Sequence, residues 1–253
     1  MVSSRDAVIV STASPVTSRS IAKGASTELR AQNSTGVHDV HVTQPRFVET
    51  QLEAVLDDLP VAAAKTGFLG REPIIRAVLR WAEAGRLPNL VVDPVLVATD
   101  GTRLLDAGAE AAYRELLQHA RVATPNLPEA AVLLDAELTS MDEVTPHADR
   151  LATLGPEVVV VTGGQLSGDA IDVAVTSAGV EPMTAERLDT TNVHGSGCTF
   201  AAATAARLAL GDDPLDAVRA AKVFVHGQVT RSAHWHLGAG TMGPLAHTSL
   251  PSS

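Results

Sequence analysis

Short, largely apolar runs alternate along this chain with longer segments whose apolar residues recur every three or four positions. The runs at 61–65, 90–92, 122–124 and 158–161 are rich in valine and alanine, and they end in Thr66-Gly67, Asp93-Pro94, Pro125 and Thr162-Gly163-Gly164. Such runs predict strands of a parallel sheet, which lack in–out alternation because both faces are covered. Between them the helical period predicts helices over 47–56, 71–84, 107–119, 127–134 and 141–154, then two more over 197–209 and 214–233. Residues 171–176 and the segment up to 188 read as a hairpin or as edge strands. Strand and helix in turn imply right-handed crossovers and an α/β fold with a mainly parallel central sheet. The first thirty residues depart from this pattern. An apolar run at 7–10, readable as a first strand, lies among serines, threonines and the basic residues Arg5, Arg19, Lys23 and Arg30. Residues 1–30 are therefore expected to be an atypical, disordered N-terminal segment or a transit peptide, with 31–253 as the folded domain.

Composition narrows the partners. The chain has 253 residues, enough for one well-filled α/β domain, and with 3% aromatics its core must come from small aliphatic side chains. A net charge of −10 argues against nucleic acid and anionic membranes as partners, though not against a small anion bound by local N–H groups. Cys198 is the only cysteine, so no internal disulfide can form, and no apolar run is long enough to span a membrane. A soluble, cytoplasmic location is the expectation.

In open α/β sheets ligands bind beyond the carboxyl ends of the strands. That rule brings together Lys65-Thr66-Gly67, Asp93-Pro94-Val95, Thr124-Pro125-Asn126, Thr162-Gly163-Gly164 and the glycine loop that ends at Cys198. In that loop Gly195, Ser196 and Gly197 run straight into an alanine-rich helix, whose free N–H groups and dipole suit an anion. Cys198 is then either a small core residue or a thiol whose pKa the helix end lowers. Asn126 is a good N-cap with Glu129 in the capping-box position. The same two residues, helped by Asp93, are also candidates to hold a hydrated Mg²⁺ beside phosphates. Lys65 faces either a phosphate or solvent, and His194 either orients the glycine loop or is simply part of it.

The run Asn192-Val193-His194-Gly195-Ser196-Gly197-Cys198-Thr199 resembles the H-G-S/T-G-C-T signature of hydroxymethylpyrimidine and phosphomethylpyrimidine kinases, members of the ribokinase superfamily. Lys65-Thr66-Gly67-Phe68-Leu69, Asp93-Pro94-Val95-Leu96-Val97, Thr124 to Glu129 and Gly163-Gly164-Gln165 are similar to that family's K-T-G-M-L, D-P-V-M-V, T-P-N-L-P-E and G-G-H segments. Ala31 to Val37 resembles its T-A-Q-N-S/T-x-G-V. The resemblance implies a three-layer αβα ribokinase-like fold over 31–253. It also implies ATP-dependent phosphorylation of a hydroxymethylpyrimidine and its monophosphate in thiamine biosynthesis, with Mg²⁺, in a homodimer. By the same resemblance Gln32 would hydrogen-bond the aminopyrimidine, and Val95 and Phe68 would pack on it. Asn126 and Glu129 would position phosphates and Mg²⁺, with Asp93 as a second metal carboxylate. Gly195, Ser196 and Gly197 would form the anion hole, and Cys198 would take the proton of the hydroxymethyl group. Thr162 stands where a lysine is common on the nucleotide side, and Lys222 and Val225 would lie near adenine. The family's glycine-rich segment after the first strand is missing before Gln32, and Gly238-Ala239-Gly240-Thr241-Met242-Gly243-Pro244 alters its G-x-G-H-G-P. Those departures leave two alternatives: an impaired or non-catalytic ligand-binding descendant, or a kinase of a related alcohol such as pyridoxal. A truncated or frame-shifted reading would also account for the first thirty residues.

Overall fold

The computed structural model describes residues 6–10, 22–97, 105, 107–164 and 168–247. The rest of the first thirty residues and Gln165 lie outside the described residues. In chain order the elements are β1 (Asp6–Val10), β2 (Ala22–Ala25), β3 (Glu28–Asn33), β4 (Gly36–Val42), α1 (Pro45–Leu56), β5 (Val61–Thr66), α2 (Glu72–Glu83), β6 (Val91–Val92) and α3 (Ala107–Leu117). There follow β7 (Val122–Ala123), α4 (Leu127–Leu134), α5 (Ala148–Ala152), β8 (Val158–Thr162), β9 (Ala170–Thr176), β10 (Gly179–Ala185), α6 (Ser196–Leu210) and α7 (Pro214–Ser232). Eight strands form one sheet in the order β10-β9-β8-β7-β6-β5-β1-β2. From β2 to β8 every neighbouring pair is parallel, while β9 and β10 continue the edge as an antiparallel hairpin.

Two cores lie on opposite faces of this sheet, and strand periodicity sorts residues between them. Ala64, Val92, Ala123, Val159 and Val161 pack with α1 to α5 in the larger core. Ala63, Val91, Val122, Val158 and Val160 pack with α6 and α7 in the smaller one. The result is the three-layer αβα arrangement. It also decides where the next residues point: Lys65 after Ala63, and Asp93 after Val91, belong to the α6 side. Strand order reverses direction between β1 and β5, because the chain runs outward from β1 to β2 and later from β5 to β8. That reversal opens a crevice at the carboxyl ends of the strands, and α6 packs across β5, β6 and β1 beside it.

Two expectations need correction. Residues 141–154 do not form one helix. They form 3₁₀ turns over Met141–Glu143 and Thr145–His147 before the short α5. Pro146 explains the break, since it removes a donor and disfavours helical backbone at the residue before it. The second is the β3–β4 hairpin, which was not anticipated and which straddles the domain start expected at residue 31. It forms its own two-stranded sheet, exposed along nearly its whole length. Upstream of it, β1 and β2 are strands of the central sheet. Among the described residues no helix is long and apolar enough to cross a membrane.

Leu116, fully buried on α3, should cost about 2–5 kcal/mol when cut to alanine. Leu29→Ser, at a position 62% exposed on the hairpin, should stay within about 0.5 kcal/mol of the parent. Urea unfolding of both variants checks the contrast.

Candidate active site

The loop into α6 is set by Gly195, whose φ of 81° lies in the left-handed region that a side chain would strain. It places Ser196 N–H on Val193 O at 3.1 Å and Thr199 N–H on Gly195 O at 2.9 Å. The N–H groups of Gly197 and Cys198 have no main-chain acceptor among the described residues, as the first turn of a helix dictates. A Cβ built on Gly195 or Gly197 meets nothing within 4 Å. A phosphate therefore fits the loop: two unspent donors, a helix dipole, and open space where side chains would otherwise stand.

Beneath this turn lie three ionisable groups. Lys65 at the end of β5 is 1% exposed, and its Nζ is 3.2 Å from Asp93 Oδ2 beyond the end of β6. That oxygen is buried and makes no well-aligned hydrogen bond despite its ion-pair distance to Lys65. The half-buried Cys198 thiol lies near enough to both to feel their charges. Burial pulls the Lys65 ammonium down, but Asp93 and then Cys198 outweigh it and leave its pKa raised. The thiol is pushed up to about 11, first by the Asp93 charge, with Lys65 opposing and burial adding to the rise. The expected lowering is thus overturned: a full carboxylate charge beside the sulfur exceeds the fractional charge of a helix end. Lys65 is likewise neither solvated nor free.

Asn126 caps α4 through the reciprocal box expected: Glu129 N–H donates to Asn126 Oδ1 at 2.9 Å, and Asn126 N–H donates to Glu129 Oε2 at 2.8 Å. Glu129 Oε1 accepts from Leu96 N–H at 3.3 Å. Burial, then the charge of Asp93, pushes the Glu129 carboxyl up to about 8 against these hydrogen bonds. Two buried carboxyl groups that raise each other's cost of ionisation, one with an oxygen that makes no aligned hydrogen bond, suit a hydrated divalent cation that takes few protein ligands. Among the described residues no cluster of three or more acidic, histidine or cysteine side chains is present, so such an ion would draw its other ligands from water and phosphate.

The remaining sequence candidates are distributed around this centre. Thr162, at the end of β8, bridges to Asn126, and its N–H reaches Pro125 O at 2.8 Å. Lys222 is tied down, with Nζ on Ala170 O at 2.7 Å and on Asp172 Oδ2 at 2.8 Å. Asp172 Oδ1 accepts from Gly163 N–H at 3.0 Å, so Lys222 acts on the Gly163 loop through Asp172. Val95 and Phe68 are half-buried, and Gln32 is exposed on β3. The guanidinium of Arg30 lies over the Phe68 ring at 4.9 Å. Cross-strand register puts Arg30 opposite Val40 and Gln32 opposite Val37, with a bulge between Ala31 and Gln32, and Gln32 follows Arg30 by two positions on β3.

Some supporting residues were not anticipated. The Tyr113 hydroxyl, fully buried, receives Leu69 N–H at 3.3 Å and donates to Gly67 O at 3.2 Å, which fixes the loop after Lys65. Its signal was faint: the chain's one tyrosine, preceded on its helix mostly by small residues. Asn192 donates to Ser232 O at 2.5 Å and to Trp235 O at 2.9 Å, anchoring the glycine loop to the end of α7.

The family profile described as Phosphomethylpyrimidine kinase matches residues 17–245. A hydroxymethylpyrimidine/phosphomethylpyrimidine kinase of Streptomyces coelicolor is 38% identical over 87% of this chain and 81% of its own. A thiamine biosynthesis multifunctional protein of Corynebacterium glutamicum is 38% identical over 88% of this chain, which spans 30% of that relative's length. Among solved structures, a Bacillus subtilis pyridoxal kinase bound to ADP superposes with a TM-score of 0.85 at 29% identity, covering 96% of this chain and 97% of that one.

Cys198 is the sole thiol, so its ionisation can be read from the rate of alkylation against pH. The midpoint should lie near 11 and move to lower pH in Asp93→Asn, where the charge that raises it is gone. An unmoved midpoint in a variant with native circular dichroism would remove Asp93 as the cause.

Proposed function

The chain belongs to the phosphomethylpyrimidine kinase family, and on that premise we propose that it transfers the γ-phosphoryl group of ATP to a hydroxymethylpyrimidine and then to the resulting monophosphate. One observation carries the reading: Cys198, Lys65 and Asp93 lie together beneath an open helix N-terminus that fits a phosphate. In the proposed step the substrate hydroxyl oxygen forms the new bond to phosphorus as the bond to ADP breaks. The hydroxyl proton passes to Cys198 Sγ while the thiol's own proton passes to Asp93, so no free thiolate is needed at neutral pH. The N–H groups of Gly197 and Cys198, with Lys65, stabilise the charge on the transferred group.

Asn126, Glu129 and Thr162 would stand on the nucleotide side, with Lys222 holding the Gly163 loop in shape. Glu129 and Asp93 would hold Mg²⁺ through water, and the ion would neutralise phosphate charge. Phe68, Val95 and Gln32 would contact the pyrimidine. A second reading is a pyridoxal kinase, favoured by the close superposition on a pyridoxal kinase of similar length. Identity of 38% to a pyrimidine kinase over most of both chains favours the first.

ATP consumption by the purified protein should be stimulated by hydroxymethylpyrimidine more than by pyridoxal. The reverse preference would transfer the assignment to the second reading, and ligand binding without turnover would mark a non-catalytic descendant. Cys198→Ala should lower kcat about 10²–10⁴-fold, the usual loss of a general base; a parent-like rate would exclude the proton role. In Glu129→Gln the Mg²⁺ concentration for half-maximal rate should rise, and an unchanged titration would take Glu129 out of the metal site.

A further inference from the structure

The β3–β4 hairpin is pinned at both ends. At its base the Thr27 hydroxyl donates to Phe68 O at 2.9 Å, and Arg30 lies over the Phe68 ring. At its tip Ser34 Oγ accepts two main-chain hydrogen bonds, from Ala239 N–H at 3.1 Å and Gly240 N–H at 3.2 Å, about two hundred residues further along the chain. The receiving segment is shaped for that contact. Gly238 has φ +81°, and a Cβ there would stand 2.2 Å from Ser34 Oγ. A Cβ on Gly240 would stand 1.5 Å from Ser34 O. No side chain fits at either position without pushing the hairpin away.

The same segment continues into Gly243, which is fastened to the glycine loop. Gly243 N–H donates to Thr191 O at 3.1 Å and Gly243 O accepts from His194 N–H at 3.1 Å. A Cβ on Gly243 would meet Asn192 Oδ1 at 1.6 Å. One short stretch, 238–244, thus holds the hairpin tip on one side and the entry to α6 on the other. Gln32 sits between the two pins of β3, two positions after Arg30, whose guanidinium lies over the Phe68 ring.

We propose that Ser34 is a positioning residue, which latches the hairpin to 238–240 and thereby sets Gln32 against the acceptor substrate in register with the glycine loop. This rests on the kinase reading for the identity of the acceptor, and on the hydrogen bonds alone for the latch. Ser34 need not touch substrate. It replaces the flexibility of an exposed two-stranded ribbon, marginal by itself, with a fixed position before the acceptor arrives, and prepaid ordering of this kind raises affinity.

Two measurements on the full chain decide it. In hydrogen exchange without ligand, Ser34→Ala should speed exchange across 28–42 and leave 61–66 unchanged, while Ser34→Thr, which keeps the hydroxyl, should restore the slow rate. Unchanged exchange at 28–42 would overturn the latch. In steady-state kinetics with hydroxymethylpyrimidine, Ser34→Ala and Gly240→Ala should each raise the KM of the acceptor about tenfold, the scale of losing one or two ordinary hydrogen bonds. The KM of ATP should stay within about twofold, because the phosphate side keeps its own anchors. Faster exchange with an unaltered acceptor KM, or equal rises for both substrates, would overturn the positioning role. Absence of turnover in the parent protein would overturn the kinase reading and the positioning with it, while the exchange comparison would still decide the latch.

Discussion

The ion pair between Lys65 and Asp93 is the constraint on which the site depends. Both groups are almost wholly removed from water, and an ammonium and a carboxylate each lose several kcal/mol of hydration on burial. Their attraction offsets that loss only while both are present, and removing one partner of such a pair typically costs about 3–5 kcal/mol. The pair is therefore a poor way to gain stability and a good way to hold charge in place. Asp93 keeps an oxygen without an aligned hydrogen bond, the thiol of Cys198 stands beside it, and Glu129 feels its charge from the other side. One carboxylate thus raises a thiol and adds to the effect of burial on a second carboxyl group. Any cation or phosphate entering the crevice changes all three together.

The pair meets Cys198 because the helices above the sheet are made of small residues. Ala201, Ala205 and Ala209 form one buried row of α6, and Ala217 and Ala221 face the same core from α7. Rows of alanine at a spacing of four let helix and sheet backbones approach closely. The first turn of α6 is carried with them to the strand ends, so low aromatic content and a helix N-terminus close to Lys65 and Asp93 are linked consequences of one composition. The dense packing also limits how far the turn can relax.

Elements with a single strong period were legible in the sequence. The run 158–161 and the helix over 127–134 stand where they were expected, because an unbroken apolar run or a capped helical stripe has one way to be buried. The helix expected over 141–154 was misjudged because its apolar spacing concealed the effect of Pro146. The hairpin escaped because its residues alternate between two exposed faces, which leaves no buried stripe to detect. Within the site, main-chain features such as the glycine loop and the Asn126 cap were readable from residue type. The thiol's raised pKa was not, since it depends on which side of the sheet Asp93 faces and how near it comes. The burial of Lys65 was not legible for the same reason, since it depends on neighbours distant in sequence, and it overturns only the solvated alternative.

The two halves of the crevice are built from different materials. The half proposed to take phosphate offers main-chain N–H groups, a helix dipole and a buried ion pair, all fixed by the central sheet. The other half uses side chains on a hairpin that contributes little buried apolar surface and is held by contacts at its base and tip. Side chains on such a ribbon can change without disturbing the sheet, whereas a new side chain at Gly195 would strain the backbone and one at Gly243 would collide with Asn192. Under the proposed function, selectivity for the acceptor therefore has physical freedom to vary while phosphate binding does not. The 238–244 segment joins the hairpin tip to the glycine loop, so that in the proposed function a choice made on the hairpin is delivered in register with the Cys198 turn.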